Sequence, residues 1–452
     1  MNMRKTKIIC TLGPAVDHAE TIERLIRTGM NAARFNFSHG SHAEQLARLN
    51  MFKKVRDTLG APVATILDTK GPEIRIKTFA DGPVTLEQGQ GFILTTDDVP
   101  GDGRRVSVTY ANLHKEVGPG CRILVDDGLI ELRVQKVEGH EIHCEVENGG
   151  PLSSNKSINI PDVHILLPSL TDKDREDLKF AVDNDFDFIA ASFVRKASDV
   201  EDIRAELRKH GGDNIRIIAK IENREGVENL EGIIAASDGI MVARGDLGVE
   251  IPAHEVPILQ KKMIKATIRA GLPVITATQM LDSMIRNPRP TRAEVSDVAN
   301  AVFDGTSCVM LSGETASGKY PIEALSTMVN TVTAAEEAID YWGRFRERSL
   351  LPVVSGISDA ITHSCCLTAM DLNASAILAA TRSGYTAKVI SRFRPACPIV
   401  ALCQNESTRR QLAISWGVHP YLSGEVDSTD RMFSLAVDVA RKENAVQIGD
   451  TV

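Results

Sequence analysis

The amino-acid sequence predicts an α/β protein built on a (β/α)8 TIM barrel, with an inserted all-β lid domain and a C-terminal α/β domain. Three observations predict this fold class. Short apolar runs alternate with helical patterns eight times, the alternation breaks once, and a smaller α/β pattern follows. Continuous apolar strands that alternate with helices are typical of a parallel sheet buried on both faces. Eight such units can close into a barrel.

The eight predicted strands are rich in Val, Ile and Ala, and each runs into a polar segment. Active sites of such barrels lie at the carboxyl ends of the strands, so these polar segments form the candidate site. The runs lie at positions 8–10, 33–35, 63–67, 188–191, 216–219, 239–243, 274–277 and 308–311.

The break lies between the third and fourth runs, where the pattern changes to short antiparallel strands. Runs at 123–125, 129–134 and 142–146 are separated by turn signals at 127–128 and 138–139. We therefore expect a barrel at 1–71 and 169–343, a β-barrel-like lid at 72–168 and an α/β domain at 344–452. An insertion at the barrel mouth often closes over the site.

The C-terminal region predicts strands at 375–380 and 398–402, with a hydroxyl-rich loop after the first. This loop either binds a phosphate through backbone N–H groups at the start of a helix or is an ordinary Gly turn with a helix cap. A further strand is expected to begin at 449–452. The candidate phosphate-binding residues are Thr381, Arg382, Ser383, Gly384 and Thr386.

Composition predicts a soluble, cytoplasmic protein of two or three domains. The 452 residues are 43% hydrophobic and 25% charged, and the net charge of −8 argues against a general nucleic-acid binder. No apolar run is long enough to cross a membrane, and the N-terminus has no signal-peptide pattern. The eight cysteines show no CxxC spacing and are interpreted as reduced thiols.

Glu222 and Asp246 are the candidate metal ligands, because each follows a buried run. Two carboxylates from neighbouring strand ends suit Mg2+ or Mn2+. The alternative is internal ion pairing with Lys220 or Arg244, since residues two apart on a strand face the same way. If a metal binds, Lys220 becomes an electrophile aimed at a transferring group.

Further cations and oxygens follow other predicted strands. Lysine and arginine side chains around Mg2+ are typical of sites that catalyse phosphoryl transfer. The candidate arginines for such a site are Arg34, Arg75 and Arg244. A second oxygen cluster combines one carboxylate with neutral oxygens, which suits K+; its residues are Asn36, Ser38, Asp68 and Thr69. Their spacing alone, however, favours a hydrogen-bonded turn pair. Thr278 could relay a proton, although a helix cap is the simpler interpretation.

Taken in order, these motifs resemble those of the pyruvate kinase family, most closely the bacterial type. The match covers nearly the whole chain, and seven ordered motifs are far more specific than a single Gly-rich loop. The matching segments are CTLGP at 10–14, RFNFSHG at 34–40, LDTKGPEIR at 67–75, KIEN at 220–223, MVARGDLGVEIP at 241–252, TATQMLDSM at 276–284 and LSGETA at 311–316.

The resemblance implies transfer of the phosphoryl group of phosphoenolpyruvate to ADP, giving pyruvate and ATP in the last step of glycolysis. It also implies Mg2+ (or Mn2+) and K+ as cofactors. The expected assembly is a homotetramer that a sugar phosphate activates. No nucleic-acid or membrane partner is expected.

The resemblance also assigns roles to residues of this sequence. The implied Mg2+ ligands are Glu222 and Asp246, and the implied K+ ligands are Asn36, Ser38, Asp68 and Thr69. The implied catalytic residues are Lys220, Arg75, Thr278, Ser312 and Glu314. The implied substrate-binding residues are Arg34, Lys220, the Gly245 backbone, Asp246 and Thr278. The implied nucleotide-binding residues are Asn36, His39, Arg75 and Lys156. The effector phosphate is assigned to Thr381, Arg382, Ser383, Gly384 and Thr386.

Two positions refine these expectations. Glu73 resembles the K+-dependent members of the family, because a Lys there can replace the cation with its own ammonium group. Family members normally add a strand and a Gly-rich loop beyond the equivalent of Val452, which completes the effector pocket in fructose-1,6-bisphosphate-activated members.

Two other functions fit some of the residues. A Mg2+-dependent barrel lyase or aldolase would stabilise an enolate with Glu222 and Asp246, but it would need neither the K+ cluster nor the lid. A catalytically inactive sugar-phosphate sensor would not need every catalytic position, and all of them are present. ATP formation from phosphoenolpyruvate and ADP separates these alternatives.

Overall fold

A closed barrel of eight parallel strands forms the centre of the computed structural model, which describes residues 3–349, 356–423 and 428–452. All eight predicted runs are barrel strands, so the predicted fold class is confirmed. The ring closes where the last strand pairs with the first, at Lys7 and Cys308. Numbered in chain order along the whole protein, the barrel strands are β1 (Lys7–Leu12), β2 (Ala32–Asn36), β3 (Ala64–Asp68), β13 (Phe188–Ala191), β14 (Arg216–Ile221), β15 (Gly239–Ala243), β16 (Val274–Ala277) and β17 (Cys308–Leu311).

The strands are buried on both faces, because helices cover the outside of the ring and side chains fill its interior. Along β1, Ile8 and Cys10 pack outward against the helices, whereas Ile9 faces the interior of the barrel. Two short 3-10 helices lie at Pro14–Val16 and Asp282–Ile285. The surrounding helices are α1 (Ala19–Thr28), α2 (His42–Leu59), α4 (Asp172–Asp183), α5 (Ala197–Lys209), α6 (Arg224–Glu228), α7 (Leu230–Ala236), α8 (Arg244–Glu250), α9 (Val256–Arg269), α10 (Arg292–Asp304), α11 (Gly313–Ala316) and α12 (Pro321–Glu337). Helix α13 (Tyr341–Ser349) contributes Tyr341 to the barrel core and Phe345 to the C-terminal core.

The insertion after β3 is a separate curled sheet with its own apolar core. Seven strands lie in the order β4-β12-β8-β9-β10-β6-β7, and an isolated bridge between Ile76 and Val108 brings the two edges together. The three predicted antiparallel runs are β8, β9 and β10. The elements are β4 (Ile74–Arg75), β5 (Val84–Leu86), β6 (Gly91–Thr95), β7 (Arg105–Ser107), α3 (Leu113–Glu116), β8 (Arg122–Val125), β9 (Ile130–Glu138), β10 (Glu141–Asn148), β11 (Gly150–Leu152) and β12 (Ser157–Asn159).

In its described residues, the C-terminal region is a three-stranded parallel sheet with four helices. Its first two strands were predicted, whereas the third was not, because His419 and Pro420 interrupt its apolar pattern. The strand expected at 449–452 is wrong for the described residues, where Ser375 N–H donates to Thr451 O without extending the sheet (2.9 Å). The elements are α14 (Ile357–Asp371), β18 (Ile377–Thr381), α15 (Tyr385–Arg392), β19 (Ile399–Cys403), α16 (Glu406–Leu412), β20 (Val418–Leu422) and α17 (Thr429–Lys442).

Two general expectations can be compared with this architecture. All eight cysteines are free thiols, as the absence of CxxC spacing indicated. Among the described residues, no helix combines the length and apolarity needed to span a membrane.

An aromatic cluster fixes the carboxyl end of β2. The rings of Phe35 and Phe186 lie 5.5 Å apart, and those of Phe37 and Phe180 lie 5.3 Å apart. Phe186 also contacts Phe37, with 6.4 Å between centroids. Phe35 and Phe37 flank Asn36, so their burial turns the intervening amide away from this cluster.

Replacing Phe186 tests the importance of this cluster. We expect Phe186→Ala to lower the free energy of unfolding by about 3–5 kcal/mol, because it leaves a cavity beneath β2. Phe186→Leu retains most of the volume and is expected to cost clearly less. Urea-induced unfolding measures both values, and equal losses in the two variants would contradict the packing argument.

Candidate active site

Lys220 lies at the carboxyl end of β14 and is surrounded by oxygen atoms. Its Nζ is 3.0 Å from Asp68 Oδ1, 3.0 Å from Glu222 Oε1 and 2.7 Å from Ser192 Oγ. Burial alone would lower the pKa of this amine, but Asp68 and Glu222 outweigh it and raise the pKa of Lys220 above its usual range. The ammonium group is therefore held charged inside the barrel mouth.

Asp68 of β3 is shared by two cations, Arg34 from the adjacent strand β2 and Lys220 from β14, which lies two strands away on the other side. Its Oδ1 contacts Lys220, and its Oδ2 accepts from Arg34 Nε at 2.6 Å. Arg34 also donates to Thr11 Oγ1 at 3.0 Å, which fixes the other side of its guanidinium. Burial opposes ionisation of Asp68, but Arg34 and Lys220 overcome it and lower the pKa of this carboxyl.

Glu222 and Asp246 form an acidic pair whose negative charge is less fully compensated by nearby cations than that of Asp68. Glu222 Oε2 accepts the backbone N–H of Phe193 at 2.5 Å. Burial, with a contribution from Asp246, raises the pKa of Glu222 to about 7 despite Lys220. Burial likewise raises the pKa of Asp246. Buried Glu222 and partly buried Asp246 therefore lack sufficient positive charge nearby, which a cation can supply.

The two interpretations of this acidic pair can now be compared with the geometry. The Lys220–Glu222 ion pair exists at 3.0 Å, but the proposed Arg244–Asp246 pair does not. Arg244 instead contacts Asp297 at 2.7 Å. Within the described residues, no three His, Cys, Asp or Glu side chains are grouped around a common metal position. A metal here would rest on two protein carboxylates and on substrate or water oxygens.

The second oxygen cluster spans the ends of β2 and β3. Asn36 and Asp68 are register partners, so their side chains leave adjacent strands at the same level. Ser38 N–H donates to Asn36 Oδ1 at 3.1 Å, and Thr69 Oγ1 accepts from Ser192 N–H at 3.2 Å. The hydrogen-bonded turn that the sequence analysis gave as an alternative to a K+ site is therefore present. The same residues still offer one carboxylate and several neutral oxygens as ligands for a cation.

Thr278 lies opposite these clusters in a left-handed backbone conformation, with φ of 69°. Its Oγ1 accepts from Gly245 N–H at 2.7 Å, which ties the end of β16 to the start of α8. Nearby, buried Glu314 accepts from the N–H groups of Leu281 and Ser312, at 3.1 and 2.7 Å. Burial raises the pKa of Glu314. Strained residues held by such hydrogen bonds often lie at functional sites.

A cavity of about 470 Å³ opens between the lid and the barrel. Arg75 and Lys156 from the lid and Asp246 from the barrel line it. Arg75 pairs with Glu73 and donates to Asn155 O at 2.7 Å. The cavity wall does not include Lys220, Asp68 or Thr278. His39 is exposed and does not line it either.

Ser192 contacts the charged centre, and the sequence analysis did not include it among the candidate site residues. Its Oγ lies 2.7 Å from Lys220 Nζ and 3.3 Å from Asp68 Oδ1. The only available signal was its position, directly after the strand that ends at Ala191. Phe193 follows with φ of 56°, and this turn presents its N–H to Glu222.

The candidate effector loop has the Gly turn that was one of its two sequence-based interpretations, and phosphate binding stays a prediction. Gly384 is the N-cap of α15 with φ of 80°, so it makes the Gly turn that was one alternative. A side chain at this position would approach Leu412 at 3.2 Å. Thr408 of α16 donates to Arg382 O at 3.3 Å. Arg382, Ser383 and Thr386 are exposed, whereas Thr381 is buried.

The fold and the charged strand ends define a barrel enzyme with an inserted lid. Family models described as pyruvate kinase, barrel domain, and pyruvate kinase, alpha/beta domain, match residues 3–325 and 359–452. The pyruvate kinase of Clostridium acetobutylicum is 50% identical over 451 residues, covering 100% of this chain and 95% of that protein. That of Staphylococcus haemolyticus is 50% identical over 452 residues, covering 100% of this chain and 77% of that protein.

A solved structure gives the same result in three dimensions. The crystal structure of a pyruvate kinase from Cryptosporidium parvum has a TM-score of 0.96 and 41% sequence identity, covering 99% of this chain and 93% of that chain. The chain belongs to the pyruvate kinase family. It is accordingly a phosphotransferase, and membership implies phosphoenolpyruvate, ADP or ATP, and pyruvate as its substrates and products.

Removing the shared carboxylate is expected to destabilise the whole site. Asp68→Asn leaves Arg34 and Lys220 buried with too little negative charge, so the free energy of unfolding should fall by about 3–5 kcal/mol. Asp98→Asn is the control, because Asp98 pairs with Lys77 at a position where its side chain is 84% exposed. That change should stay below about 0.5 kcal/mol. Similar losses in both variants, measured by urea unfolding, would contradict this account.

Proposed function

We propose that this protein transfers the phosphoryl group of phosphoenolpyruvate to ADP, giving pyruvate and ATP, with Mg2+ and K+. The observation that carries this proposal is the buried Arg34–Asp68–Lys220 arrangement beside two further carboxylates. Phosphoryl transfer is catalysed mainly by positioning and by neutralising charge. Lys220 is held charged and immobile, which suits a group that stabilises the phosphoryl group and the enolate.

Glu222 and Asp246 would hold the divalent cation, Mg2+ or Mn2+. Their hard oxygens and raised pKa values fit a site completed by a cation. When bound, the cation would neutralise charge on the substrate oxygens. The Lys220 side chain is 11% exposed and is held between Asp68 and Glu222, so the amine would keep a fixed position beside the carboxylates as substrate enters.

Asn36, Ser38, Asp68 and Thr69 would hold K+. The register pairing of Asn36 with Asp68 and the turn that contains Ser38 support a compact set of oxygen donors. When bound, K+ would add positive charge close to the reacting phosphoryl group. Glu73 is the residue type expected in a K+-dependent member.

The remaining residues would serve the two substrates. Arg34, the Gly245 N–H and Thr278 would bind phosphoenolpyruvate from the barrel side, and Thr278 with Ser312 and Glu314 would support proton delivery to the enolate carbon. Arg75 and Lys156 line the cleft under the lid, which supports a role with the nucleotide phosphates. Asn36 and His39, which is exposed, would also contact the nucleotide.

The lid would exclude water from the reaction. Its cleft with the barrel carries Arg75, Lys156 and Asp246 on facing walls, so closure would bring cations and carboxylates together. Exclusion of water would prevent hydrolysis of the transferring group.

The organisation of the enzyme follows from the same proposal. We place the catalytic barrel at 1–71 and 169–343, the lid at 72–168 and an effector domain at 344–452. The protein would act in the cytoplasm as a homotetramer. A sugar phosphate would bind at Thr381, Arg382, Ser383, Gly384 and Thr386.

The central role of Lys220 can be tested directly. We expect Lys220→Met to lower kcat at least about a hundredfold in a coupled pyruvate assay, because it removes the cation that contacts both Asp68 and Glu222. Lys179→Met removes an exposed lysine that pairs with Asp183 and should retain wild-type kcat. Far-UV circular dichroism checks that both variants are folded. Turnover of folded Lys220→Met near the wild-type rate would refute the proposed mechanism.

The cation requirement gives a second test. Replacing K+ by tetramethylammonium at constant ionic strength should lower wild-type kcat/KM by at least about tenfold, as expected for loss of an electrostatic contact. Glu73→Lys should reduce this dependence, because its ammonium group can substitute for the cation. Undiminished wild-type activity in tetramethylammonium would exclude the K+ site.

A further inference from the structure

The first two turns of α4 contact both chain segments that carry the proposed K+ ligands. Lys173 Nζ donates to the carbonyl of Phe37 at 2.9 Å, and Phe37 lies between Asn36 and Ser38. Asp174 Oδ1 accepts from the N–H of Gly71 at 3.0 Å. Gly71 lies two residues after Thr69, so one helix contacts the segments 36–38 and 68–71.

Asp177 joins the contacts to the first of these segments. Its Oδ2 lies 2.6 Å from Lys173 Nζ, and its Oδ1 lies 2.6 Å from His42 Nε2. The His42 ring packs 5.7 Å from the Phe37 ring, while Lys173 binds the Phe37 carbonyl. Both oxygens of one carboxylate therefore orient groups that hold Phe37.

These contacts exceed what helix formation requires. Asp174 Oδ2 caps α4 by accepting the Thr171 N–H at 2.9 Å, yet its other oxygen reaches Gly71. The side chain of Asp177 is fully buried, which is costly for a carboxylate unless it is paired. By contrast, the Lys179–Asp183 pair on the same helix has side chains that are 56% and 53% exposed.

Gly71 has little freedom to compensate for a change in these contacts. Its φ is 71°, and a side chain there would meet Ser192 Cβ at 2.8 Å. Ser192 in turn contacts Asp68 and Lys220. The Asp174 contact therefore fixes a segment that is already closely packed against the charged centre.

We propose that Lys173, Asp174 and Asp177 are positioning residues for the monovalent cation. This inference rests on the proposed K+ site and deepens it. The three side chains do not bind the cation; they fix the backbone that aims Asn36, Ser38 and Thr69. Groups that orient cation ligands from behind commonly change metal affinity by tenfold or more when they are replaced.

The experiment compares Lys173→Met with Lys179→Met in the full-length protein. Both variants remove one lysine from an i,i+4 ion pair on α4, but only Lys173 contacts Phe37. We expect the half-saturating K+ concentration for activity to rise by about tenfold in Lys173→Met, with kcat at saturating K+ near the wild-type value. Lys173→Arg should restore most of the K+ affinity.

A second measurement does not depend on turnover. The thermal unfolding midpoint is recorded in K+ and in tetramethylammonium at equal ionic strength, without substrates. K+ should raise the unfolding midpoint of the wild type and of Lys179→Met. At the same K+ concentration, the rise should be smaller in Lys173→Met. Folded Asp177→Asn should show the same reduced response of the unfolding midpoint to K+ as Lys173→Met.

The outcomes distinguish this inference from the function on which it rests. If the wild type responds to K+ and Lys173→Met has the same half-saturating concentration, the positioning role is wrong. A lower midpoint in Lys173→Met with an unchanged K+ response would show a purely structural role and would also overturn it. If the wild type shows no K+ response in either measurement, the cation site itself is wrong.

Discussion

The shared carboxylate of Asp68 is the interaction on which the rest of the site depends. Arg34 and Lys220 come from different strands and would repel each other in the barrel mouth without it. With Glu222 and Asp246 included, the centre holds two cations and three carboxylates, so it carries one excess negative charge when all are ionised. A divalent cation would reverse that sign, and the reversed sign is what an anionic substrate requires.

Several supporting contacts converge on this charged centre from outside the strands. Ser192 bridges Lys220 and Asp68, and Phe193 supplies an N–H to Glu222 from a strained turn. Next to this turn, α4 holds Phe37 and Gly71. Precise placement of charged groups needs neighbours that cannot move, and these contacts provide them.

The fold was largely predictable because barrel strands are buried on both faces and therefore read as continuous apolar runs. Lys220 and Glu222 could be chosen as candidates from position, since parallel strands bring their carboxyl ends together. The spacing around Asp68 alone favoured a hydrogen-bonded turn, so its contacts with Arg34 and Lys220 were not predicted. The partner of Arg244 was not predictable, because Asp297 lies on a distant helix. Ser192 was not predictable either, because its direction depends on the backbone of a loop. Strand β20 was missed, since Pro420 interrupts its pattern.

The lid enters and leaves the barrel between two strands that are direct neighbours. β3 pairs with β13, with Ile66 opposite Phe188, although about 120 residues separate them in sequence. The lid has its own core, so the barrel does not need it for packing. Because loop-closure entropy grows only with the logarithm of length, such an insertion costs the barrel on the order of 2 kcal/mol relative to a short loop. A lineage could therefore gain, exchange or lose this domain while keeping the same barrel.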